Sequence, residues 1–294
     1  MSPLRVAITG AGGQLGRQLV SVLTAAGIEA LPLSRTELDI TEPSLEILQR
    51  WNPRVVINAA AWTDVDGCAR DPQRAMAVNG TAAGDLARAA QALGALSVQV
   101  STNEVFDGSA ERPYRETDAP HPINPYGQSK LAGEELVASA NPEHLIVRTA
   151  WIFGAGSRNF PSRILEVARR QAAAGRPVRV VADEFGNPTW APDLARGIWQ
   201  TVQLRLEGGA RVSVIHIAGE PPTSRYGWAQ RIVEEMPEVN LQAISSDEYP
   251  RPAPVPRRAV LSTETARSIG IPSSDWQAAT AEYVASLRAE AVGS

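Results

Sequence analysis

The run "TGAGGQLG" at Thr9–Gly16 constrains this chain more than any other stretch. It follows an apolar, β-branched segment, "LRVAIT", and opens a periodic one, "QLGRQLVSVLTAAG". Gly10, Gly13 and Gly16 are spaced G-x-x-G-x-x-G. Glycines so placed permit a tight turn, let main-chain N–H groups approach a pyrophosphate, and let the following helix pack on its strand. The helix N-terminus adds unpaired N–H groups and a partial positive charge. Spacing alone is weak evidence, but a strand before and a helix after, at the head of a βαβ series, is the context that gives it meaning. The turn predicts an α/β chain that binds a dinucleotide.

Further short apolar runs continue the series: "IEALPLS" from Ile28, "RVVINAA" from Arg54, "LSVQVS" from Leu96 and "HLIVRT" from His144. Alanine- and leucine-rich periodic segments separate them, as in a parallel sheet covered by helices on both faces. After Thr149 prolines loosen the rhythm, although "VRVVA" and "VSVIHIAG" still read as strands. The chain is expected to divide into a dinucleotide-binding domain over 1–150 and a smaller, more irregular substrate domain over 151–294, with some later segments returning to the first sheet. The proline-rich "YPRPAPVPRRAV" from Tyr249 reads as an ordered extended connection, because a helix-forming run, "DWQAATAEYVASLRAE", follows it.

The choice of dinucleotide is expected at the end of the second strand, in "LSRTELDI". Arg35 would accept the 2′-phosphate of NADP, whereas Glu37 and Asp39 could hold the ribose of NAD. A net charge of −4 gives no reason to expect nucleic acid or an anionic membrane as partner, and points to a small ligand. No run approaches the ~18 apolar residues of a membrane span. The N-terminal apolar run is too short for a signal peptide, so a cytoplasmic protein is expected. With one cysteine, Cys68, no internal disulfide can form, and its neighbours suggest no activated thiol. His121, His144 and His216 lack metal-ligand spacing, so no catalytic metal is expected.

One further stretch carries chemistry. In "NPYGQSK", Tyr126 stands four residues ahead of Lys130, so a helix beginning here would put both on one face. A neighbouring cation favours phenolate, and Lys130 is expected to lower the pKa of Tyr126 and make it a usable acid–base group. Asp64 and Asp66 form a second pair, read either as substrate contacts or as loop caps.

Together with "VINAAAWTDVD", "VSTNEVFDG" and "NPYGQSKLAGE", the glycine turn makes the chain resemble the extended short-chain dehydrogenase/reductases over nearly its whole length. Within them it is similar to the dTDP-4-dehydrorhamnose reductase group, through "RTAWIFG", "VVADEFGNPTWAPDLA" and "VLSTETARSIGIPSSDW". The resemblance implies a Rossmann doubly wound parallel sheet with a smaller C-terminal sugar-nucleotide domain, and reduction of a 4-keto-6-deoxy sugar on a nucleoside diphosphate by NADPH or NADH. It makes Tyr126 the proton donor, Lys130 its activator and ribose ligand, and Thr102 a donor to the substrate carbonyl. It implies cofactor contacts at Gly13, Gln14 and Leu15, at Asp39 and Ile40, and at Ala60, Ala61 and Trp62. Asn103 and Trp151 fall on the sugar side. A nucleotide-sugar substrate and a monomer or homodimer are expected.

Four departures bear on the assignment. Asn103 and Glu104 stand where the group reads aspartate and tyrosine, Glu184 where it reads glutamine, and Arg257 and Arg258 lie in a stretch that is usually less basic. Related dehydratases carry an acid pair at 103–104, so a dehydratase or epimerase is the alternative within the family. Asn103 cannot supply a proton as a carboxylic acid does, which favours the reductase. A non-catalytic, cofactor-binding regulatory subunit is the reading from another class. It has no need of Thr102, Tyr126 and Lys130 together.

Overall fold

In the computed structural model, which describes residues 3–42, 46–209 and 212–292, the early apolar runs become strands β1 (Arg5–Thr9), β2 (Glu29–Leu33), β3 (Val55–Asn58), β4 (Leu96–Thr102) and β5 (His144–Thr149). Strand β6 (Val178–Val181) lies outside this sheet, whereas β7 (Val214–His216) returns to it. Among the described residues the sheet has six strands in the order β2-β1-β3-β4-β5-β7, each pairing parallel. Strand order reverses at β1, with β2 on one side and β3 on the other. Ligands of doubly wound sheets bind at the carboxyl ends of the strands at such a switch point. This is a Rossmann fold.

Alternation along each strand fills both faces. Val6 and Ile8, Val55 and Ile57 face helices α1 (Gln14–Ala25) and α5 (Ala191–Leu206), where Leu19, Leu23, Leu194, Ile198 and Val202 complete one core. Ala7 and Val56 face the other way, onto Ala82, Leu86 and Ala90 of α2 (Ala82–Ala92). Truncating a fully buried leucine such as Leu19 would cost about 2–5 kcal/mol. Helix α3 (Pro125–Ala140) begins where Asn124 accepts from the Gly127 N–H at 2.8 Å, with proline in the first turn.

Residues after 150 build a second core. Phe153, Leu165 of α4 (Phe160–Ala173), Trp228 of α6 (Arg225–Ile232), and Trp276 and Tyr283 of α7 (Trp276–Val292) pack there with Val178 and Val180. Both tryptophan N–H groups are satisfied, Trp228 by Thr280 at 3.1 Å and Trp276 by the Pro221 carbonyl at 2.6 Å. The proline-rich segment is ordered, as expected, and acts as a strap. Ala253, Ala259, Val260 and Leu261 are buried, and Tyr114 and residues 260 and 262 exchange main-chain hydrogen bonds of 2.8 and 2.7 Å.

Candidate active site

The glycine turn lies at the switch point, against the chain leaving β3. Gly10 has φ +68°, and a Cβ there would come within 2.6 Å of the Ala60 nitrogen. At Gly16 a Cβ would lie 2.1 Å from the Gly10 carbonyl oxygen, so this glycine serves the packing of α1 on its strand. Gly13 heads α1 with no side chain capping the helix. The first-turn N–H groups, Gln14 and Leu15 among them, are therefore open to a phosphate, and the cradle fits a dinucleotide. Leu15 and Ile40 have their side chains in the cores, so they can meet a ligand only through the main chain. The Gln14 amide lies 3.0 Å from Ser157 Oγ and ties the turn to the loop before α4.

Arg35 and Asp39, which the sequence sets in opposition, are partners: Arg35 Nε donates to Asp39 at 3.1 Å. Thr41 hydrogen bonds, and then Arg35, hold the Asp39 carboxyl below its usual range. Glu37 is turned back on its own loop, accepting from the Ser34 N–H at 2.8 Å. At the end of β3, Asn58 accepts from Thr9 at 2.6 Å and donates to Gln99 at 2.8 Å, linking the ends of β1 and β3 to the middle of β4. Asn58 also accepts from the Ala60 N–H at 3.1 Å and so shapes the exit through Ala60 and Ala61. Asn79 grips Trp62, accepting from its N–H at 2.8 Å and donating to its carbonyl at 3.0 Å. Asn79 sits in a π-helical segment, Met76–Thr81, that presses on α3 so closely that a Cβ at Gly133 would lie 2.2 Å from its carbonyl oxygen.

Thr102 ends β4, and its hydroxyl lies near enough to the Tyr126 phenol to draw its pKa down. Lys130, one helical turn on, is buried and donates through Nζ to the Val100 carbonyl at 2.6 Å. The three residues meet because Gly127 lets α3 approach the turn after β4, where a Cβ would stand 2.1 Å from the Glu104 carbonyl oxygen. The electrostatics differ from the sequence expectation. Burial, and after it the Glu104 carboxylate, pushes the Tyr126 phenol up, with Thr102 opposing, and Lys130 does not offset this. Burial pulls Lys130 itself down to about 8, against the attraction of Glu134. A raised phenol stays protonated at neutral pH, which is the state a proton donor needs.

Asn103 is committed at both ends, donating to the Ala259 carbonyl at 2.9 Å and accepting from Thr102 at 3.3 Å. It joins the strap to the site and has little left to offer a ligand. Glu104 accepts from Asn124 at 2.7 Å, and burial raises its carboxyl while this bond and Arg225 oppose. Trp151 has φ +43°, a strained value for a side-chain-bearing residue. Its ring lies over Gly186, where a Cβ would come within 2.6 Å of it, and stacks on Trp228 at 6.0 Å. Glu184 is buried and pairs with Arg251 at 2.5 Å.

Asp64 is a helix cap for Gly67, and Asp66 accepts from the strap at Ala253 N–H, 3.2 Å. Arg257 pairs with Asp247 at 2.6 Å and Arg258 donates to the Glu111 carbonyl at 3.1 Å, both on the surface. Cys68 is buried, and burial pushes its thiol to about 11. Sequence reasoning passed over Asn58, Asn79, Arg225 and Arg251. Only Asn79 left a signal, an Asn-Gly pair inside a helical pattern. Among the described residues no group of three or more His, Cys, Asp or Glu is placed to hold a metal ion, and no helix is long and apolar enough to cross a membrane.

Comparison with known proteins gives the family. Residues 4–289 match the family model described as RmlD substrate binding domain, and the chain belongs to that family. It is 39% identical over 290 residues to the dTDP-4-dehydrorhamnose reductase of Mycobacterium tuberculosis, covering 96% of this chain and 92% of that one. The crystal structure of a dTDP-4-dehydrorhamnose reductase from Clostridium acetobutylicum superposes with a TM-score of 0.90 at 33% identity, covering 97% of this chain and all of the other (100%). That of the Bacillus anthracis enzyme in complex with NADP gives 0.87 at 31% identity, covering 96% and 98%.

Proposed function

We propose that this protein reduces the 4-keto group of a nucleoside-diphosphate 4-keto-6-deoxy sugar, converting dTDP-4-dehydrorhamnose to dTDP-rhamnose, with NADPH or NADH. The observation that carries the reading is the Thr102 hydroxyl at the end of β4 acting on the buried Tyr126 phenol, with the buried Lys130 one helical turn on and anchored at Val100. Near-full-length similarity to proteins named as such reductases supports it.

When bound, the reduced dinucleotide supplies a hydride to the carbonyl carbon. Gly10, Gly13, Gln14 and Leu15 would hold its phosphates, and Arg35, Asp39, Ile40, Ala60, Ala61 and Trp62 would border its adenosine side. Thr102 and Tyr126 donate to the carbonyl oxygen, so the negative charge that grows there meets fixed donors. Tyr126 then transfers its proton to that oxygen. Lys130, anchored on Val100, orients the ribose. The second core, built from segments after residue 150, forms the sugar-nucleotide lobe, while α5 and β7 belong to the layers of the first domain, and Trp151 borders the sugar. We place the enzyme in the cytoplasm as a monomer or homodimer, with no nucleic-acid or membrane partner.

The test is direct: purified protein, dTDP-4-dehydrorhamnose and NADPH or NADH, followed by loss of absorbance at 340 nm and identification of the sugar product. Cofactor oxidation with formation of dTDP-rhamnose is expected. No oxidation with either dinucleotide would remove the reductase reading.

A further inference from the structure

Arg225 opens α6, directly after Thr223–Ser224 pairs antiparallel with Phe185–Gly186, and its main-chain N–H donates to the Glu184 carbonyl at 3.0 Å. Its guanidinium carbon lies 3.7 Å from the centre of the Trp151 ring and 5.1 Å from that of Phe160. The side chain is only 23% exposed. Yet among the described residues none of its guanidinium N–H groups makes a protein hydrogen bond. Glu184 stands 3.9 Å from its Nε, while the short contact of that carboxylate goes to Arg251. One carboxylate thus serves two guanidiniums, and its close contact is not with Arg225. Glu104 acts on both arginines as well, but its hydrogen bond, at 2.7 Å, comes from Asn124.

Withdrawing a cation from water without satisfying its donors is unfavourable. The stack on Trp151 accounts for the plane of the guanidinium, not for its idle edge. A planar fork of donors matches the oxygens of a phosphate, which it can grip in bidentate fashion. Glu104 and Glu184, two of the positions that depart from the pattern of the reductase group, both act on Arg225 electrostatically.

We propose that Arg225 is the ligand for the diphosphate of the nucleotide sugar, held over Trp151 so that the sugar is directed toward Tyr126. The proposal rests on the sugar-nucleotide reading above and deepens it.

Titration calorimetry of dTDP and of UDP with the full chain tests it, in the parent and in Arg225→Met and Arg225→Lys. Methionine keeps the stack on Trp151 and removes the donors. Arg225→Met should weaken whichever diphosphate the parent binds by tenfold or more, Arg225→Lys should restore part of that loss, and NADPH affinity should stay unchanged in both. Diphosphate affinity that does not change, or that falls by the same factor as NADPH affinity, would overturn the proposal, as would a parent that binds neither dTDP nor UDP. A parent that binds dTDP through Arg225 yet reduces no keto sugar would sink the catalytic reading and leave this one standing.

Discussion

Lys130 Nζ donates to the Val100 carbonyl across 2.6 Å, one helical turn beyond Tyr126 and two residues back along the strand from Thr102. The lysine is fixed before any ligand arrives. Since burial brings it to about 8, it loses its charge in the free protein as pH rises through that value. Affinity for NADPH should therefore decline above pH 8 in the parent. Lys130→Met should bind weakly at every pH, with the decline gone. Fluorescence titrations between pH 6 and 9.5 measure both, and a parent affinity that is flat over this range would take Lys130 out of the cofactor site.

Tyr126→Phe keeps the ring in its buried place and removes only the hydroxyl. Folding and NADPH affinity should change little, while kcat falls by about 100- to 10,000-fold, the usual share of general acid catalysis. Thr102→Val should also slow turnover, and the double variant should lose less than the product of the two, because both groups act on one oxygen. Steady-state kinetics with the keto-sugar nucleotide decide the matter. A phenylalanine variant as fast as the parent would end the proton-donor role.

Because Arg35 is paired with Asp39 on an exposed loop, neither residue is free to dominate cofactor choice. The preference between NADPH and NADH should stay within about a hundredfold, or about 2.7 kcal/mol. Arg35→Ala should shift it toward NADH, as the freed carboxylate repels a 2′-phosphate. Comparing dissociation constants for both dinucleotides in parent and variant checks this, and a shift toward NADPH would contradict it.

His216 is wholly buried at the end of β7, and burial, with Arg148 reinforcing it and Glu116 opposing, holds its imidazole below the ordinary range. An unfolded histidine titrates near ~6.5, so below that pH the unfolded chain binds a proton that the folded one refuses. Stability should be fully present above pH 6.5 and decline as pH falls below it. His216→Gln should flatten the slope between pH 6.5 and 5, whatever its effect on absolute stability. Urea melts across that range test it, and identical slopes would assign the loss to other groups.

The sheet was legible because its strands carry the signal locally. β-branched runs such as "RVVINAA" and "HLIVRT" need no distant partner to be recognised, and "TGAGGQLG" declares the turn between strand and helix. Tyr126 and Lys130 were likewise readable, since helical spacing puts them on one face wherever the helix lies. Their electrostatics were not. Proximity of Lys130 argued for a lowered phenol, but desolvation depends on what packs around the ring, and here burial and Glu104 raise it.

What the amino-acid sequence determined by itself, then, is the order of the sheet's strands, the glycine cradle and the face of α3 that carries Tyr126 and Lys130, all set by interactions within a few residues. Tertiary structure alone decided which distant side chains meet. Asn79 reaches Trp62, Asn103 holds the strap through Ala259, and Glu104, Glu184, Arg225 and Arg251 converge from four separate segments. A charged residue's role follows from the partners that desolvate or neutralise it, and no spacing rule specifies those until the chain has closed on itself.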